Sequence, residues 1–324
     1  MKVASKYPRS TCKTGLLKSF PALAFAVIGA FCSSSPALAT PFLGSDLASF
    51  TVLGYSTVTN TNPAANLPLG PTTITGNVGD WANSVAANAV VGLLPTQVSG
   101  TIYQGPAPGT TTQALAQGQL TTAINNLNGL SPSGSLGLDL TGLISPGFAG
   151  LAPGIYTVSG GGSNLTGALT LDGGGNANAA WVFQMADTLI TDSGSVVNLI
   201  NTGSGAGVYW DVRSSATLGT NSTFVGNILA LASISMTTGA TDLCGRDLAS
   251  TGGVTLDTNV LSGICTGPLA GSGGLSGGLE ITSSGVTQVL PYVPVNGGTV
   301  PEPGSLALLG LGLAALGFAR RRYG

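Results

Sequence analysis

Between Gly167 and Leu261 the sequence repeats itself in five lines: ALTLDGG (168–174), DTLITDS (187–193), ATLGTNS (216–222), ISMTTGA (234–240) and VTLDTNV (254–260). Each line sets a hydroxyl residue before a large apolar one, as Thr170/Leu171, Thr188/Leu189, Thr217/Leu218, Ser235/Met236 and Thr255/Leu256, at intervals of 18, 29, 18 and 20 residues. The long interval holds the insertion NTGSGAG (201–207), which leaves a period near 18 to 20. A unit that short cannot bury its own apolar edge, so neighbouring units stack and their equivalent residues form columns. The fold class that follows is an all-β solenoid.

Adjacent side chains of a strand point to opposite sides. If the Leu/Met column faces inward, the column Thr188, Thr217, Ser235 and Thr255 faces out. A second column, Thr191, Thr220, Thr238 and Thr258, follows three residues after the first, and Asn221, Gly239 and Asn259 come next, where each coil is expected to turn a corner.

Composition narrows what such a stack can do. Only 7% of residues are charged and Gly numbers 51, yet abundant Val, Leu, Ile and Thr set the chain apart from disordered sequences. From Thr40 to Thr299 ten Asp and one Glu face only Arg213 and Arg246, a net charge near −9 without a single Lys. Nucleic-acid binding, which needs phosphate neutralisation, is disfavoured. The absence of His from the whole chain excludes His-dependent catalysis and His-ligated zinc. Carboxylate pairs for glycoside hydrolysis exist on paper in Asp187 with Asp192 and Asp211 with Asp247, but Arg213 with Asp211 and Arg246 with Asp247 read as local ion pairs at coil corners. With no calcium-type nonapeptide repeat, neither cofactor nor metal is expected, and the chain reads as a binding or structural protein rather than an enzyme.

In chain order, residues 1–39 read as a secretory signal peptide: basic Lys2, Lys6, Arg9, Lys13 and Lys18, the apolar run 21–31, and the cleavage site Ala37-Leu38-Ala39. FTVLGYSTVTNT (50–61) and TTITGNVGDW (72–81) look like further coils. Across 110–128, Ala116, Leu120, Ala123, Ile124 and Leu127 fall at helical spacing, which predicts one amphipathic helix lying along a side of the solenoid. Strand returns at LAPGIYTVSG (151–160). Cys244 and Cys265 are 21 residues apart, about one coil. That spacing places them in adjacent coils about 4.8 Å apart, within disulfide reach, and secretion supplies the oxidising compartment. Residues 267–299 have a Gly/Ser/Pro linker composition, and the chain closes with VPEP (300–303), the apolar run 305–319 and Arg320-Arg321-Arg322.

Two resemblances attach to these segments. The tail, with Pro301, Glu302 and Pro303, is similar to the PEP-CTERM sorting signal of Gram-negative bacteria, which implies recognition and removal by a membrane protease. LAPGIYTVSG, WVFQMADTLITDSGS, VYWDVRSSATLGTNSTFVGNILALASISMTTGAT and GRDLASTGGVTLDTN resemble the DUF3494 ice-binding proteins, from Leu43 to about Gly263. That resemblance implies a right-handed, three-sided, discontinuous β-helix over 40–266 with one long α-helix alongside, and adsorption to ice through a flat face. Thr238-Gly239-Ala240-Thr241 fits the T-A/G-x-T/N motif some members carry there, while Asp247 interrupts the usual apolar run after Gly245-Arg246. The favoured face is therefore Thr191, Thr220, Thr238 and Thr258 with Thr241, and Thr188, Thr217, Ser235 and Thr255 form the alternative. The expected partner is the ice crystal surface, with the protein acting as a monomer. A surface adhesin or biofilm-matrix protein, held in exopolysaccharide by its tail, is the competing reading.

Overall fold

The computed structural model describes residues 40–62, 70–81, 90–104, 111–158, 163–282 and 285–288. The leader 1–39, the stretch 289–299 and the tail 300–324, with Pro301, Glu302 and Pro303, lie outside the described residues. Two large parallel sheets dominate. The first has seven strands in the order Ser163–Leu165, Leu189–Thr191, Ala216–Leu218, Ile234–Met236, Val254–Leu256, Val58–Asn60 and Val90–Val91. The order is the sequence repeat made visible, because each successive unit adds one short strand beside the last. Its break is informative: the N-terminal strand Val58–Asn60 joins after the C-terminal Val254–Leu256, so the ends of the domain stack on each other.

The second sheet has thirteen strands in two rows. One row runs through Gly154–Val158, Ala180–Met185 and Gly207–Val212 to the latter parts of Thr223–Ala230 and Thr241–Ala249, then to Phe50–Gly54 and Asn77–Asp80. The other comprises Ala168–Asp172, Val196–Ile200, the starts of Thr223–Ala230 and Thr241–Ala249, Val260–Ser262 and Thr73–Thr75. Strand Thr223–Ala230 passes from row to row at a register shift between Phe224 and Gly226. Only glycine suits that bend: Gly226 has φ 110°, and a Cβ there would meet Val208 Cγ1 at 2.7 Å and Trp210 Nε1 at 2.9 Å.

Parallel register stacks like on like inside. Tyr156, Phe183 and Trp210 are register partners, and the Phe183 and Trp210 rings lie 4.1 Å apart at 11°. The helix spans Thr112–Asn128 and buries Ala116, Leu120, Ala123, Ile124 and Leu127, the predicted stripe. It packs with Leu53, Val182, Tyr209, Leu229 and Leu248, the outward residues of the first row. Full burial of each large apolar side chain contributes about 1.5–3 kcal/mol. Gln184 of that row donates through Nε2 to the carbonyls of Leu127 and Leu130 at 2.6 and 2.9 Å, satisfying the helix end that lacks partners of its own.

The linker reading of 267–299 does not hold for its first part. Leu279–Thr282 and Gly285–Gln288 form an antiparallel hairpin that adds Thr40–Pro41 as a third strand. Leu275 and Leu279 are buried, and the Tyr209 hydroxyl donates to the Gly277 carbonyl at 2.8 Å. Contacts from distant residues order the Gly/Ser-rich stretch, and the hairpin after it carries its own strand-favouring Ile281, Thr282, Val286 and Thr287.

Candidate functional site

With one row of strands under the helix, two sheet surfaces stay open. On the seven-stranded sheet the outward residue of each short strand is its centre, giving the register Ile190, Thr217, Ser235, Thr255, Thr59, Val91. Thr217, Ser235 and Thr255 therefore do form a column. Thr188 does not join it: Leu189 pairs with Ala216, so Thr188 stands two places ahead, before its strand begins, and Ile190 takes its position. The same offset turns Thr191 inward, opposite the Leu218 position, where it is 3% exposed and its hydroxyl accepts from the Gly219 amide at 2.9 Å.

The second predicted column needs a further correction. Counting back from the paired residues Val196, Thr223, Thr241 and Val260, the turn position holds Gly194, Asn221, Gly239 and Thr258, all with positive φ between 54° and 73°. Gly and Asn accept that conformation readily, whereas a β-branched residue is an outlier there. Thr258 is 4% exposed and its hydroxyl donates to the Asp257 carbonyl at 2.7 Å, so it presents nothing to solvent. One residue fewer in the last repeat moves Asn259 into the buried column of Ser195, Ser222 and Ala240, where its amide donates to the carbonyls of Thr237 and Ala240 at 2.8 and 2.9 Å. Thr220 and Thr238 stay half-buried on the ridge between the sheets. An acidic residue continues their column, because Thr238 donates to the Asp257 carboxylate.

The second open surface was largely missed. In the row that starts at Ala168, two outward positions per strand are presented. The first runs Ala168, Val196, Thr223, Thr241, Val260, Thr73 in continuous register. The second includes Thr170, Asn198, Ser262 and Thr75, with Val225 and the 47% exposed Leu243 in the strands between. None of these residues is charged. Thr241 belongs here, and the paired spacing Thr220–Thr223 and Thr238–Thr241 was the signal in the sequence for its neighbour Thr223.

Two acidic residues of the domain lie close together, but inside the core and closed to solvent. Asp247 lies inward in register with Ile228 and Val52, and Asp242 inward with Phe224 and Leu261. Burial pushes the Asp247 carboxyl up to about 7, and burial reinforced by the Asp247 charge pushes Asp242 well up too. Arg246 points the other way, as strand alternation requires, so the expected Arg246–Asp247 pair does not form. Its guanidinium donates to the carbonyls of Ala48 at 2.7 Å and Gly274 at 3.2 Å and to the Asn227 side chain at 2.9 Å, with its pKa lowered to about 10 by burial. Asp211 also lies across the sheet from Asp247, its carboxyl raised to about 7 by burial against the opposing pull of Arg213, and accepts no hydrogen bond among the described residues. The disulfide is formed: Cys244 and Cys265 are bonded with Cα atoms 4.7 Å apart.

Comparison with known proteins bears on these surfaces. Residues 52–262 match the Ice-binding-like family, and residues 299–322 match the PEP-CTERM protein-sorting motif. An ice-binding protein of Nostoc sp. (strain HG1) is 40% identical over 302 residues, covering 93% of this chain and 94% of its own. The chain belongs to the ice-binding family. Among other members, the ice-binding protein of Flavobacterium frigoris (strain PS1) is 29% identical over 66% of this chain and 74% of its own. The solved ice-binding protein from an Antarctic biological consortium superposes with a TM-score of 0.56 at 30% identity, over 69% of this chain and 91% of that one. The DUF3494 domain of Shewanella frigidimarina ice-binding protein 1 gives 0.57 at 26% identity, over 69% and 97%. These relatives are ice-binding proteins, not enzymes; of the carboxylate pairs the sequence offered, Asp211 and Asp247 are divided between opposite faces of the sheet.

Proposed function

We propose that this protein adsorbs to ice through the row carrying Ala168, Val196, Thr223, Thr241, Val260 and Thr73, and thereby inhibits ice growth and recrystallisation. The observation that carries the reading is an uncharged open surface with two outward positions per strand in six registered strands. Parallel strands recur every ~4.8 Å, so the surface extends roughly 24 Å along the stack. Threonine methyls and valines order water over such a surface, and threonine hydroxyls anchor it by donating and accepting. Charges would bind water in other geometries. Thr220 and Thr238 form the ridge of this face, with Asp257 at its end; the single column Thr217, Ser235, Thr255 is the narrower second surface. The architecture we infer is a right-handed, three-sided, discontinuous β-helix, supported by the chain-order break in both sheets. The leader and the PEP-CTERM tail support export to the surface of a Gram-negative cell, a sorting protease acting at Pro301, Glu302 and Pro303. The test is recrystallisation of a frozen sucrose solution containing the secreted protein: crystals should stay small, and coarsening equal to that with albumin would contradict the reading.

A further inference from the structure

Beside the helix, and away from the proposed ice face, lies a pocket of about 250 Å³. One wall is aromatic: the rings of Tyr55 and Trp81 lie 4.9 Å apart at 58°. The opposite wall is helix, where Gly118 opens the space, since a Cβ there would meet nothing within 4 Å. Gln117, Thr121 and Ser250 supply the polar lining. Gln117 is only 5% exposed; its Nε2 donates to the Ala249 carbonyl at 3.3 Å, while its Oε1 accepts no bond among the described residues. The indole N–H of Trp81 is likewise buried without a partner among the described residues, although a buried indole N–H usually finds one. None of the lining residues is charged.

We infer that this pocket binds a neutral hexose unit of an extracellular polysaccharide. An aromatic wall suits the apolar C–H face of a pyranose, and the Gln117 amide with the Thr121 and Ser250 hydroxyls suits its hydroxyl rim. Apolar walls with a few placed polar groups are the general form of small-molecule sites. The volume is below the roughly 300–1,000 Å³ of sites for drug-sized ligands, which restricts occupancy to one ring. The uncharged lining gives an acidic sugar no partner for its carboxylate. Tyr55 follows the strand Phe50–Gly54 and precedes Val58–Asn60, so the pocket lies where the helix-covered row meets the seven-stranded sheet. Sugar and ice therefore occupy different surfaces, and one molecule would tether matrix to ice.

The pocket has its own reporter, because Trp181 and Trp210 are fully buried and Trp81 is the remaining tryptophan. The experiment is a fluorescence titration of the secreted protein, in liquid buffer without ice, with glucose, galactose, mannose and neutral trisaccharides of each, and with glucuronate as the anionic control. A saturable emission shift is expected with at least one neutral sugar, half-complete on the order of 1 mM, as suits about a dozen non-hydrogen atoms. Gly118→Leu fills the space while favouring the helix and should abolish the shift. No saturable shift with any neutral sugar, a shift retained in Gly118→Leu, or a response to glucuronate alone would each overturn the assignment. Ice activity plays no part in this readout, so the two readings stand or fall separately.

Discussion

Asp242 and Asp247 are two carboxylic acids enclosed within one repeat, and their cost depends on pH. Burial raises both above the unfolded value of 3.8, Asp247 to about 7, and Asp211 reaches about 7 as well. The folded state therefore holds protons that the unfolded chain releases, so the stability these groups contribute is complete below 3.8 and is lost as pH rises through about 7. Arg246 opposes this shift at Asp242, and Arg213 opposes it at Asp211. Thermal melts should show a Tm that falls between acidic and mildly alkaline buffer. Asp247→Asn should stabilise the fold at about pH 8 by an amount on the order of 1–2 kcal/mol, read as a raised Tm, and leave Tm unchanged near pH 4; an equal difference at both would contradict the buried-acid account. Sequence adjacency suggested a pair of Arg246 with Asp247, but strand alternation sends neighbours to opposite sides. The acidic pair inside is legible only once the register joins Asp247 to Ile228 and Asp242 to Phe224.

At the scale of elements, the helix and the disulfide were readable because each rests on a short-range rule. The stripe from Ala116 to Leu127 repeats every three to four residues, and the spacing of Cys244 and Cys265 matches one repeat. The bridge joins Thr241–Ala249 to the segment after Val260–Ser262. Closing a loop of that length stabilises by roughly 3 kcal/mol in the chain-entropy description, or about 6–12 °C in a domain of this size. Denatured, unreduced protein should show no titratable thiol, and reduction should lower Tm by that order. Two free thiols would contradict the bridge. The hairpin Leu279–Gln288 was missed for the opposite reason: its strands LEIT and GVTQ carry strand-favouring Ile, Thr and Val but are short and follow a Gly/Ser-rich stretch, and what fixes them and that stretch is remote in sequence, Thr40–Pro41 on the hairpin and Tyr209 and Arg246 on Gly277 and Gly274.

For the whole molecule, the repeat revealed the stacked sheets but misassigned the faces. A column read at a fixed offset slips wherever a repeat gains or loses a residue. It slips by two at Thr188 and by one at Thr258, and each slip exchanges inside for outside or strand for turn. Thr217, Ser235, Thr255 and Thr241 survive because their repeats match in length on the relevant side. The central claim is that ice is held by the row containing Thr223 and Thr241 and not by the seven-stranded sheet. The direct measurement is recrystallisation inhibition by single tyrosine variants, each first checked by melting to lie within about 0.5 kcal/mol of wild type. Thr241→Tyr and Thr223→Tyr should require roughly tenfold more protein for the same inhibition, about 1.4 kcal/mol of binding. Thr217→Tyr on the seven-stranded sheet and Asn125→Tyr on the exposed side of the helix should behave as wild type. Full activity in Thr223→Tyr and Thr241→Tyr together with loss in Thr217→Tyr would contradict the account and move the ice-binding face to the other sheet.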